Sequence, residues 1–423
     1  MEGPSTTVPA AADAPAADER MDRRLVLLLS AAVACSVANL YYIQPLLPML
    51  RRDLHVSAGV AALATTVGQL GYVVGLALLL PLGDLLERRR LIVVLAIACA
   101  GSLLLTGVAP GLGVLLGAMS LVGLTSVVTQ LVVPLAATLA PAHERGRVVG
   151  MVMSGLLIGI LLARTVSGLL GGAAGWRVMF FVAAGAMTAV ALALGRWLPA
   201  SRAGVELSYP RLLASLVEIA RTEPVLRRRA GFGALSMGAF SALWTSIAFL
   251  LAGAPYHYSA GRIGLFGLVG AAGALMATVA GRWADRGRTR VLTLVTACCI
   301  LGGYAAIAFG ARSLAALIAG IVVLDVGCQG MHITNQSEIY RLRPEMRTRL
   351  NSLYMTAYFL GGSAASGASA ALYSAGGWSA VAALGLALGA ASVLAALASA
   401  VWPGRGRPVV PAGAAAAGVV PQG

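Results

Sequence analysis

The sequence predicts an all-α integral membrane protein: twelve transmembrane helices in two pseudo-symmetric six-helix bundles. Three observations carry that expectation. Of 423 residues, 59% are hydrophobic and only 11% charged, against about 45–50% and about 25% in soluble domains. The apolar residues fall in runs long enough to cross a bilayer, which takes about 20 residues per helix. Landmarks also recur at a nearly fixed offset: Asp84 and Asp285 lie 201 residues apart, Pro141 and Pro344 203 apart.

In chain order the spans are 25–49, 57–81, 91–109, 112–139, 148–171, 178–198, 230–253, 262–281, 291–310, 313–340, 349–374 and 378–402. One such run could be a buried core helix; a dozen could not. Several exceed a single crossing, which tilt or projection beyond the bilayer accommodates. The first span is no cleavable signal peptide, because its apolar run is too long and further spans follow. The first bundle is expected over 20–198 and the second over 230–402, joined by a polar linker, 199–229. Within the linker, RLLASLVEIA reads as an amphipathic helix on the inner membrane surface. The Ala/Pro-rich residues 1–19 and the Pro/Gly/Ala-rich residues 403–423 read as disordered tails.

The net charge of +15 does not point to nucleic acid, because the basic residues are sorted by side. All 31 are arginines; with the spans alternating from an inner N-terminus, 24 fall in inner segments and 5 in outer loops. Arg164 and Arg196 lie within spans. This bias is the positive-inside rule and places both termini in the cytoplasm. The five cysteines lie within spans without metal-site spacing and read as apolar fillers. No H-E-x-x-H, G-x-S-x-G or Walker-type loop is present, and His55, His143, His257 and His332 are scattered over different segments. No enzyme, metal or cofactor is expected.

The loop after the second span reads PLGDLLERRRL, with Asp84 and Arg88; the loop after the eighth reads AGRWADRGRTRVL, with Gly281, Asp285, Arg286 and Arg288. These resemble the motif G-x-L-A-D-R-x-G-R-R of the major facilitator superfamily. The second copy follows the motif with one residue deleted. The first has Leu80, Leu85 and Glu87 in place of glycine, arginine and glycine. Further stretches, ANLYYIQPLLP (38–48), SGLLIGILLARTVSG (154–168) and LNSLYMTAYFLGG (350–362), are similar to bacterial drug:proton antiporters and sugar-efflux-type permeases. The resemblance implies the major facilitator fold, a location in the bacterial inner membrane, a small-molecule substrate, protons as the coupling ion and a functional monomer. It also implies that the loop motifs latch the two halves on the inner side.

Charge at mid-bilayer is costly, about 2.5–3.5 kcal/mol on insertion scales, so the few intramembrane ions mark function. Asp325 is the one acid deep in a span, and Arg164 the matching base. Counted from the inner ends of their spans, Arg164 lies about 25–28 Å deep and Asp325 about 24 Å deep. The two are therefore expected to pair across the interface in at least one state. Asp325, Gln329, His332 and Gln336 share one face of the tenth span at i, i+4, i+7 and i+11. Proton coupling rests on Asp325, aided by His332, whose ordinary titration lies nearest neutrality.

In the family the first, fourth, seventh and tenth helices line the cavity. That implies Asn39, Tyr42, Gln44, Gln130, Trp244, Gln329 and Gln336 as its lining, suited to a mostly apolar solute. Gly155 with Gly159, and Gly168 with Gly172, form G-x-x-x-G pairs that let helices approach closely. They partly match the family's antiporter motif, with Ala173 where a proline is usual. Met119 stands where antiporters of this kind often carry arginine. The expected function is proton-coupled efflux; uptake or facilitated diffusion of a nutrient is the rival on the same fold, and a sensor without flux a remoter one.

Overall fold

A computed structural model of the chain describes residues 21–141, 143–201, 208–270, 289–342 and 346–401. Helix α1 (Arg23–Ala38) ends in turns at 39–43 and a short 3-10 segment, Gln44–Leu46, before α2 (Leu47–Asp53). Pro45 and Pro48 lack the N–H that continuous helix needs, so the expected span 25–49 is broken. The Ser57 hydroxyl caps α3 (Ala58–Leu78) by accepting from Val60 N at 3.3 Å. Glu87 caps α4 (Arg88–Gly107) by accepting from the amides of Arg89 and Arg90, both at 2.9 Å. The fourth span is two helices, α5 (Leu112–Thr125) and α6 (Val128–Leu139). Helices α7 (Arg145–Ala174) and α8 (Trp176–Trp197) turn about Gly175 at φ +89°, where only glycine is free of strain.

The linker forms α9 (Tyr209–Thr222), followed by α10 (Pro224–Ala252), α11 (Ala260–Val269), α12 (Thr289–Ile307) and α13 (Leu314–Tyr340). Helix α14 (Arg347–Val401) turns at Gly377, φ +63°, and so covers both the eleventh and twelfth spans. Among the described residues nine helices are long and apolar enough to cross a membrane. With the Gly377 turn dividing one of them, the shorter α1, and the described part of the eighth span in α11, the layout is consistent with twelve crossings.

Glycines set the helix spacing. A Cβ at Gly159 would lie 2.7 Å from Ala34 Cα of α1, and one at Gly155 3.0 Å from Ser30 Cα. Further along α7, a Cβ at Gly168 would lie 2.8 Å from Gly264 Cα of α11, and one at Gly172 3.3 Å from Gly261 N. Thus α7 packs on its own half through one glycine pair and on the other half through the second. The other seam between halves is α3 on α14. Ser352 Oγ donates to Leu76 O at 3.1 Å, Ser363 Oγ to Thr66 O at 3.1 Å, and Gly59 N to Ser374 Oγ at 2.9 Å.

One expectation is corrected. Leu212, Leu216 and Ile219 of α9 are buried against the protein, and Tyr209 Oη donates to Leu78 O at 2.8 Å. The apolar face that the sequence assigns to lipid covers the ends of α3 and α14 instead. That end of the molecule, where residues 88–90, 145–147, 341–342 and 346–349 lie, is called the arginine-rich end below.

Candidate functional site

A cavity of ≈ 430 Å³ lies between the halves, walled by α1, α3, α6 and α7 on one side and α10, α11, α13 and α14 on the other. It runs from Arg164 and Asp325 to Val149, Tyr340 and Asn351 near the arginine-rich end. Most of the wall is aliphatic or aromatic. The polar face of α13 looks into it: Asp325, Gln329, His332 and Gln336 all line the cavity, as does Gln130 of α6.

Arg164 is 4% exposed, so it does not reach for lipid headgroups. Its Nε donates to Gln44 Oε1 at 2.7 Å. Its guanidinium carbon stands 3.9 Å from the Trp244 ring centre, 4.7 Å from Tyr41 and 5.4 Å from Phe240. Aromatic faces attract a desolvated guanidinium by up to about 2 kcal/mol. Asp325 is 3% exposed, and its Oδ1 is enclosed without a hydrogen-bond partner. The expected Arg164–Asp325 pair is not formed within 4.0 Å in this conformation. Gln44 and the three rings hold the guanidinium, and they come from helices far away in the chain.

Four residues expected on the wall stand behind it. The Asn39 amide donates to Cys99 Sγ at 3.2 Å, and the Tyr42 carbonyl accepts from the Ser167 hydroxyl. Gln44 and Trp244 pack on Arg164, away from the cavity. The break at 39–46 departs from the continuous first helix on which the family resemblance places Asn39, Tyr42 and Gln44 at the wall.

The His332 ring lies 4.7 Å from Tyr358, and its Nδ1 hydrogen-bonds Tyr354 Oη at 3.0 Å. Nearer the arginine-rich end a neutral polar chain crosses the cavity. Gln130 Nε2 donates to Tyr72 Oη at 3.3 Å, Asn351 Nδ2 to Gln130 Oε1 at 3.3 Å, and Tyr340 Oη to Asn351 Oδ1 at 2.9 Å. Asn351, Tyr354 and Tyr358 are absent from the sequence expectations. Their spacing in LNSLYMTAYFLGG, at i, i+3 and i+7, was the available signal.

Arg229 is a second buried base that the sequence reading left out. It is 4% exposed and donates to Thr293 Oγ1 at 2.9 Å, with Glu338 at 3.7 Å. The pair ties α10 to α13 within one half. In the first loop motif, Arg88 meets Asp84 at 3.9 Å and donates to Gly83 O at 3.2 Å. This contact is internal to the first half, while Arg349 and Ser352 of α14 share a cleft with Asp84. Gly281, Asp285, Arg286 and Arg288 lie outside the described residues. Among those described, no three His, Cys, Asp or Glu side chains converge as a metal site.

The chain matches the family model described as Major Facilitator Superfamily over residues 29–337 and 233–421. It is 49% identical to the putative uncharacterized transporter YgaY of Escherichia coli (strain K12), over 84% of this chain and 91% of that protein. It is 35% identical to the probable transporter SCO4007 of Streptomyces coelicolor, over 95% of each. Its identity to a chloramphenicol resistance protein of Streptomyces lividans is 27%, over 70% of this chain and 75% of that one. In fold it resembles a bacterial homolog of the human lysosomal transporter Spinster, solved inward-facing and occupied. The TM-score is 0.69 and the identity 15%, covering 89% of this chain and 95% of that one.

Proposed function

The chain belongs to the Major Facilitator Superfamily and is a multi-pass membrane transporter, and we propose that it exports a small, largely apolar or amphipathic molecule across the bacterial inner membrane in exchange for protons. The observation that carries this reading is Asp325: among the described residues, the one acid on the wall of a largely aliphatic and aromatic cavity, with no ion pair formed within 4.0 Å. An ionised carboxylate there is expensive to keep. A proton or a solute that hydrogen-bonds it removes that cost, so the two compete for one group.

With the arginine-rich end in the cytoplasm, as the positive-inside rule requires, the solute enters the cavity from inside and displaces the proton. After the halves rock, an outside proton displaces the solute. Loss of the Gln130–Asn351 bond widens the inner mouth. In the outward-open state Arg164 leaves Gln44 and meets Asp325, which lowers the cost of a state that holds the bare carboxylate. His332, hydrogen-bonded to Tyr354 two turns away from Asp325, hands protons along the same face. The 27% identity to a chloramphenicol resistance protein fits a drug-like solute.

The test is exchange in proteoliposomes carrying an imposed pH gradient, preceded by a resistance panel in a pump-deficient host to supply the solute. Asp325→Asn is expected to abolish pH-driven flux while leaving solute–solute exchange. Retention of full pH-driven flux by that variant overturns the reading. For the pair, Arg164→Asp and Asp325→Arg should each be inactive and the double swap partly active. A double swap no better than either single change removes the pair from the mechanism.

A further inference from the structure

We infer that the cavity selects solutes by a neutral polar head that offers a hydrogen-bond acceptor and one donor, such as a secondary amide, seated between Arg164 and Asp325. This rests on the export reading and narrows its substrate class. Both side chains line the cavity, both are more than nine-tenths buried, and each carries a polar atom without a partner: Arg164 Nη2 and Asp325 Oδ1. Buried polar groups are rarely left in this condition, because each carries its full desolvation cost. Two such atoms at one end of one cavity mark the place where a solute supplies the missing bonds.

The composition of the set defines the head. On the wall Arg164 Nη2 is a donor and Asp325 Oδ1 an acceptor, so the head must bring an acceptor to the arginine and one N–H or O–H to the carboxylate. The charges of Arg164 and Asp325 cancel, so a neutral head keeps the site neutral, whereas an organic anion or ammonium leaves an uncompensated charge in a dry site. The floor is shaped for the head. A Cβ at Gly267 would stand 2.8 Å from Arg164 Cβ, and one at Gly270 2.6 Å from Asp325 Oδ2. Gly267 of α11 and Gly270 just beyond its end thus leave backbone without side chains where the two ions stand. Tyr41, Phe240 and the aliphatic wall beyond receive an apolar body.

The test uses the full chain in nanodiscs and four matched two-ring probes, with binding read by calorimetry: N-benzylbenzamide, its N-methyl analogue, 4-benzylbenzoate and dibenzylamine. A hydrogen bond to a charged group is strong enough that losing it weakens binding about tenfold or more. N-benzylbenzamide is therefore expected to bind at least about tenfold more tightly than the other three. Because this comparison uses the unmodified protein, no variant has to fold for it to decide. Asp325→Leu should then collapse the difference between the secondary amide and its N-methyl analogue to within about twofold. Absence of saturable amide binding, equal binding of the N-methyl analogue, or tighter binding of either ion overturns the inference. The export reading fails separately, on the pH-driven flux described above; flux that persists with no amide preference leaves that reading standing and removes only this one.

Discussion

A single planar cation decides much at the residue scale. Arg164 serves Gln44 through Nε while its face lies on Trp244, which a guanidinium can do and an ammonium cannot. Arg164→Lys keeps the charge and loses both features. It is expected to lower the melting temperature by the equivalent of about 1–3 kcal/mol and to reduce flux at least about tenfold; wild-type values for both in the lysine variant would show that charge alone matters at 164. Outside the spans, Asp53 accepts from Trp176 Nε1 at 2.9 Å and from Arg177 at 2.5 Å. The Trp176 hydrogen bond first, then that of Arg177, hold its carboxyl below the usual range. A depressed carboxylate contributes stability above its unfolded value, near about pH 3.9, and loses it as pH falls through the folded value. Wild type should therefore lose slightly more melting temperature than Asp53→Asn between about pH 5 and pH 3. The excess should be small and screened by salt, because the pair is exposed; parallel melting curves for the two proteins would remove this contribution.

Helix α7 shows what an element adds to its residues. The sequence marks two small-residue pairs on it, but G-x-x-x-G spacing does not say which neighbour each pair meets. The structure gives Gly155 and Gly159 to α1, within a half, and Gly168 and Gly172 to α11, across the seam. The two pairs should respond differently to added bulk. Gly159→Val forces apart helices of one half, which on the rocking mechanism move together, so it should destabilise the fold by about 1–3 kcal/mol, read as a lower melting temperature. Gly264→Val, whose Cβ would come 3.0 Å from Gly168 Cα, obstructs closure of α7 on α11 only in the conformation seen here. It should leave the melting temperature within a few degrees and raise labelling, from the far side, of a cysteine introduced at Thr165, which is buried against Gly264 here. Equal destabilisation by both changes would mean that the seam is as permanent as the bundle. The α13 stripe was legible because helical period alone fixes its face. The partners of Arg164 were not, since Gln44 lies past a helix break and Trp244 on another half of the chain.

Across the whole molecule the helical membrane fold was the most legible feature, because composition and the length of apolar runs can be read without any knowledge of packing. What they leave open is where the halves part. The α3–α14 seam is joined along its length, from Ser352 against Leu76 at the arginine-rich end to Gly59 against Ser374 at the other. The cavity reaches toward the arginine-rich end and no lining residue comes from the Gly59–Ser374 end, so on the proposed exchange mechanism that end is the one that opens. A disulfide needs β-carbons about 3.5–4.5 Å apart, and a Cβ at Gly59 would lie 2.5 Å from Ser374 Oγ, one bond from that residue's Cβ, with Ala370 O at 2.8 Å having to give way. The double variant Gly59→Cys, Ser374→Cys should transport when reduced and stop when oxidised, with thiol restoring flux. Wild type, whose five cysteines are unpaired, should be indifferent to the same oxidant. The oxidised protein should still bind solute from the arginine-rich side, because the cavity it presents is unchanged. Full flux through the cross-linked form would mean that solute crosses without these ends separating, and rocking of the two halves would have to be abandoned in favour of a local path.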